Sequence, residues 1–170
     1  MGAEATLANG DCLIAVDRTL AEWALPASKT KGLTVDDMVI RLRKLFPGKY
    51  DHNFAWTYIA DSVKLLSSYG VRSEDFARVS MAQLQAWVAK APVLVTVEYK
   101  LLPYENRYDK LYDNAHAITL WGIMEGRAFY SDSYGRHEKY GNLSMPLSTF
   151  QQAWNSTRFY AAPRQGLRLI

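Results

Sequence analysis

Cysteine 12, histidine 116 and aspartate 132 have the residue types of a nucleophile, a base and a carboxylate that orients the base. Cysteine chemistry requires a thiol that ionises readily, a group that manages the proton, and a third group that fixes the tautomer of the second. Cys12 is the only cysteine in the 170-residue chain and opens the apolar run CLIAVDRTLAEWA. At a helix N-terminus the unpaired N–H groups and the helix dipole favour a thiolate, and such cysteines can reach a pKa of about 3.5–7.5 against ~8.5 for a free thiol. His116 begins HAITLWGI and Asp132 ends RAFYSDS, two β-like runs separated by Met124-Glu125-Gly126. A hairpin closing there sets His116 and Asp132 close to opposite one another, within a register error of a few residues.

The elements that must position these groups can be read from periodicity and capping. Leu13, Ile14, Val16, Leu20, Ala21, Trp23 and Ala24 recur at three- and four-residue steps. That spacing predicts a helix from Cys12 to Ala24, capped by Asp11 and ended by Pro26. Thr34 with Asp37 begins a helix running to Phe46, a third covers about 54–69 and stops at Gly70, and Ser80 with Gln83 begins a fourth. From Pro92 the pattern changes: VLVTVEY, 93–99, is rich in β-branched residues and reads as a strand. PLSTFQQAW, 146–154, reads as a short helix capped by Ser148, and TRFYAA, 157–162, as a last strand. Helices first and an antiparallel sheet second make one α+β domain over residues 1–170, with a seam between the halves where Cys12 could meet the hairpin.

The order Cys, His, Asp on this framework resembles the papain-like cysteine peptidases. It is closest to the bacteriocin-leader-processing type and its stand-alone bacterial and phage relatives. Asp11-Cys12, the block HAITLWGIMEGRAFYSDSYG and the Phe150/Trp154 spacing in MPLSTFQQAW carry the resemblance, which extends from about residue 9 to about 155. It implies a papain-like fold and peptide-bond hydrolysis by Cys12, His116 and Asp132 through a thioester, with no cofactor or metal. Relatives usually place a glutamine about six residues before the cysteine as an oxyanion-hole donor and a glycine after it; here Thr6 and Leu13 occupy those positions. Asn9 has a carboxamide that can take the glutamine's role, beside the Cys12 backbone N–H. Tyr134, just beyond Asp132, is the candidate wall of a substrate groove. The implied partner is a peptide or protein substrate. The same fold also serves as a peptidoglycan amidase or endopeptidase acting on cell-wall peptides, or as a binding module with weakened chemistry.

Composition narrows the alternatives. Twenty basic and seventeen acidic residues leave a formal charge of +3 with the signs interspersed, unlike the clustered basic face of a nucleic-acid binder. No apolar run approaches the ~20 residues that span a bilayer, and MGAEATLANGD lacks the basic and apolar regions of a signal peptide. With one cysteine and so no internal disulfide, the chain reads as cytoplasmic. His52 and His137 lie in polar, turn-like contexts that suit a solvated surface, and three histidines with one cysteine lack the local spacing of a zinc site. The five tryptophans, Trp23, Trp56, Trp87, Trp121 and Trp154, lie in periodic apolar stretches and read as core.

Overall fold

A computed structural model describes residues 12–50, 58–133 and 142–170. Helix α1 (Cys12–Ala24) begins at the cysteine. A one-turn helix α2 (Ala27–Thr30) follows Pro26, and α3 (Val35–Leu45) is fixed by a reciprocal capping box in which Thr34 and Asp37 satisfy each other's backbone N–H groups. Helix α4 (Ile59–Ser68) ends at Gly70, whose φ of 85° is the left-handed conformation that lets the chain leave the helix. A second capping box, Ser80 with Gln83, begins α5 (Met81–Val88).

Among the described residues six strands form one antiparallel sheet: β1 (Ser73–Phe76), β2 (Val93–Glu98), β3 (Ala115–Met124), β4 (Arg127–Asp132), β5 (Leu143–Pro146) and β6 (Gly166–Leu169), in the order β1-β6-β2-β3-β4-β5. Strand β2 is buried along its whole length because both faces of the sheet are covered. Val93, Val95 and Val97 join Ile118, Leu120 and Tyr130 in packing against α5 and α6 (Leu147–Asn155). Leu94 and Ala117 pack the other face against Leu13, Val16 and Leu20 of α1 and Leu66 of α4. A third cluster joins α1, α3 and α4 through Ile14, Met38, Val39, Leu42 and Leu65. Helix α1 belongs to two of these clusters, so the start of the helix, with Cys12, is held against the sheet.

Several expectations are corrected. TRFYAA is not a strand: 157–162 has no strand hydrogen bonding, Tyr160 N–H donates to Thr157 O in a turn, and the last strand is GLRL instead. Pro163, which cannot donate to a ladder, follows that segment, and its side chains serve the site rather than the sheet. Helix α6 begins at Leu147 behind Pro146, so Ser148 lies inside the first turn and does not cap it. Trp23 and Trp121 are half-exposed rather than core, whereas Trp154 is buried. The helix expected over 54–69 is described from Ile59, and its expected beginning, the Asp11 cap, Trp56, His52 and His137 lie outside the described residues.

Candidate active site

The β3/β4 hairpin turns through Glu125 and Gly126, both at positive φ (51° and 71°). This two-residue turn suits the right-handed twist of the strands, and glycine takes its second position without strain. From the turn the register runs Met124↔Arg127, Ile123↔Ala128 and Gly122↔Phe129, then shifts by one residue at Trp121. Continued unshifted, it would set Asp132 opposite Thr119, on the other side of the sheet from His116. The bulge sets Asp132 opposite Ile118 instead, and side chains two residues apart on a strand share a face. Asp132 is thereby diagonal to His116, and His116 Nε2 lies 2.7 Å from Asp132 Oδ1. The exposed Trp121 is the extra residue, and its indole N–H donates to Ser131 Oγ at 2.6 Å.

Both members of the pair are almost completely buried. Burial by itself pulls the imidazole towards its neutral form. The charge and hydrogen bond of Asp132, and after them Cys12 as a hydrogen-bonding and charged neighbour, outweigh burial and push His116 up to about 10. These neighbours therefore favour the protonated ring over the neutral one. Nε2 faces Asp132, and Cys12 is a second hydrogen-bonding neighbour of the same ring.

Three tyrosines hold this arrangement, and none was marked by the sequence reading. Tyr99 packs edge-on to the imidazole with ring centroids 4.7 Å apart, and its hydroxyl accepts from the Tyr108 N–H at 2.8 Å. Tyr112 makes a second edge contact at 6.2 Å and donates to Ala115 O. Burial and the nearby Cys12 push the Tyr112 phenol up to about 12. Tyr160 accepts from the His116 backbone N–H at 3.0 Å and donates to Val97 O at 2.8 Å, fixing the start of β3. Its loop is tied down by Ser156, whose hydroxyl donates to Glu98 at 2.6 Å, and by Arg158, which bridges Glu98 (3.1 Å) and Asp113 (2.6 Å). The Arg158 hydrogen bond holds the Asp113 carboxyl below the usual carboxylate range. Ser133 adds a polar contact, its Oγ 3.2 Å from His116 Nε2 while donating to Ala117 O.

A cavity of about 480 Å³ has Cys12 and His116 in its wall, with Asn114, Phe159 and Tyr160 beside them. The structure thus brings Cys12, His116 and Asp132 together where α1 meets the sheet. Asn9 and Tyr134 lie outside the described residues. Among the described residues no cluster of three His, Cys, Asp or Glu side chains could hold a metal ion, and no helix is long and apolar enough to cross a membrane.

The model of the Peptidase_C39 like family matches residues 27–162, which includes His116 and Asp132. The chain belongs to the Peptidase_C39 like family. Cys12 stands before the matched segment. A crystal structure from Bacillus anthracis named as a C39-like peptidase is similar in fold, with a TM-score of 0.50 at 18% identity. The similarity covers 67% of this chain and 59% of that one, so this chain spans less than two thirds of its length. No curated protein matches the chain. The peptidase family and the helical first half on an antiparallel sheet agree with the fold expected from the sequence.

Proposed function

We propose that the protein is a cysteine peptidase in which Cys12, His116 and Asp132 act as a triad. The observation that carries this reading is the buried 2.7 Å contact of His116 with Asp132, together with Cys12 as the other group acting on the same imidazole. In this reading Cys12 as thiolate attacks a peptide carbonyl while His116 holds the proton as imidazolium. The tetrahedral oxyanion accepts from the Cys12 backbone N–H and, as the sequence suggests, from the Asn9 carboxamide. His116 then protonates the leaving amine, and a thioester to Cys12 remains. The neutral imidazole next takes a proton from water, which attacks the thioester and releases the acid. Asp132 fixes the ring and stabilises its charged form throughout.

Peptide turnover with intact-mass detection of the thioester tests the proposal. The wild type is expected to cleave members of a fluorogenic peptide library and, after an acid quench, to carry an acyl adduct on Cys12. Cys12→Ala should show neither. Turnover retained in Cys12→Ala would refute the proposal, and a folded wild type that neither cleaves nor acylates would favour a binding module.

A further inference from the structure

The loop that carries Tyr160 begins in a web of charges, and the chemistry proposed above uses none of them. Val97 and His116 face each other across β2 and β3. The Tyr160 hydroxyl joins the two strands at that level, accepting from the His116 N–H and donating to the Val97 C=O. One step along the same ladder Glu98 faces Ala115. Glu98 is 8% exposed, and a carboxylate so buried needs partners for both oxygens. Its Oε2 accepts from the Ser156 hydroxyl at 2.6 Å and its Oε1 from Arg158 Nη1 at 3.1 Å.

The planar fork of Arg158 spans two carboxylates. Besides Glu98 it reaches Asp113, with Nη1 donating to Oδ1 at 2.6 Å and Nη2 to Oδ2 at 3.1 Å. Glu98 closes β2, and Asp113 leads into β3 just before His116. One side chain thus ties both strands to the loop, close behind Tyr160. The far end of the loop is held without charges: the Trp154 indole N–H donates to Gln165 O at 3.1 Å and the Arg164 N–H to Trp154 O at 3.0 Å. The near end depends on Ser156 and Arg158.

The Arg158 side chain is half in water, so its ion pairs add little to the stability of the fold as a whole. What they fix is the place of the Tyr160 hydroxyl, and through it the backbone from which the His116 imidazole projects. A reacting pair tolerates little displacement of that kind.

We propose that Arg158, clasped between Glu98 and Asp113, is a positioning residue that sets His116 against Cys12 through the Tyr160 hydroxyl. For its effect on turnover the inference rests on the peptidase reading; its effect on the Cys12 thiol does not.

The test compares Arg158→Met, Tyr160→Phe and the double variant with the wild type. Arg168→Met, which breaks the Arg168–Glu74 ion pair between β6 and β1, is the control. Arg158→Met is expected to lower kcat about 10–100-fold with KM changed less than about 3-fold. It should also slow iodoacetamide alkylation of Cys12 at about pH 7 to near the rate of His116→Ala. In the Tyr160→Phe background it should add less than about 2-fold to either effect, because both changes remove the same tether. Arg158→Lys, which keeps the charge but not the fork, should recover only part of the loss. Arg168→Met should alkylate and turn over as the wild type does, with a urea midpoint like that of Arg158→Met. A wild type that cleaves no peptide, with the alkylation pattern as expected, would uphold the clasp and refute the peptidase. Cleavage with Arg158→Met behaving like Arg168→Met, or with losses that multiply in the double variant, would overturn the clasp alone. Absence of cleavage with Arg158→Met alkylating like the wild type would overturn both.

Discussion

Asp17, on the helix that begins with Cys12, allows a prediction whose size follows from the structure. Its carboxyl is completely buried between α1 and α4, where burial pushes it up to about 7 and the Ser62 hydroxyl only partly opposes that shift. Because the folded protein binds this proton more tightly than the unfolded chain, the contribution to stability is complete below about 3.8. It is lost progressively as pH rises to about 7 and is constant above. A rise of about three units corresponds to about 4 kcal/mol. Asp17→Asn has no such titration, so its stability relative to wild type should improve by roughly 4 kcal/mol between pH 4 and pH 8. Urea unfolding at four or five pH values, followed by tryptophan fluorescence, measures the difference free of the other carboxylates. A difference constant across pH would refute the assignment of a buried, proton-binding Asp17.

Other expectations follow from the same geometry. His116 is raised rather than depressed, so its contribution is complete below about 6.5 and falls away towards about 10; His116→Gln should flatten the stability profile in that interval. Asp132→Asn keeps the shape of the pair but not the charge, and is expected to reduce peptide turnover by about 10²–10⁴-fold, measured at saturating substrate. Tyr160→Phe removes the hydroxyl that bridges His116 N–H and Val97 C=O and should cost about 1–3 kcal/mol in urea unfolding, with kcat lowered more than KM is raised. Gly166→Ala would set a Cβ 2.0 Å from Leu94 O, a backbone atom that cannot move aside, and should destabilise by at least about 1–3 kcal/mol in thermal melts.

Features governed by local chemistry were legible in the sequence. Both capping boxes, the hairpin turn at Glu125-Gly126 and the β-branched run of β2 are determined by residues within a few positions of one another, and the structure has each of them. Cys12 at the start of α1 was legible for the same reason, and the strand-turn-strand pattern placed His116 and Asp132 near one another, but that they share a face depends on the bulge.

The bulge at Trp121 was not legible, because HAITLWGI reads as an uninterrupted strand and the extra residue is expressed only against β4. Strands β1 and β5 are four residues each, SEDF and LSMP, without alternation; they are strands because neighbours offer an edge, with β6 supplying one and β4 the other. Tyr160 escaped notice because its partners, Val97 and His116, are 63 and 44 residues away in the chain, and its local sequence has the composition of a strand.

The central claim is that Cys12 and His116 act as one proton-sharing pair supported by Asp132. Alkylation of the native protein by iodoacetamide, followed across pH 5.5 to 9.5, tests it most directly. The account predicts that Cys12 of the wild type is alkylated faster than Cys12 of His116→Ala between about pH 6 and pH 8, because a protonated His116 beside the sulfur favours the reactive thiolate, and that the two rates converge as pH rises. Rates that coincide across the whole range would contradict it.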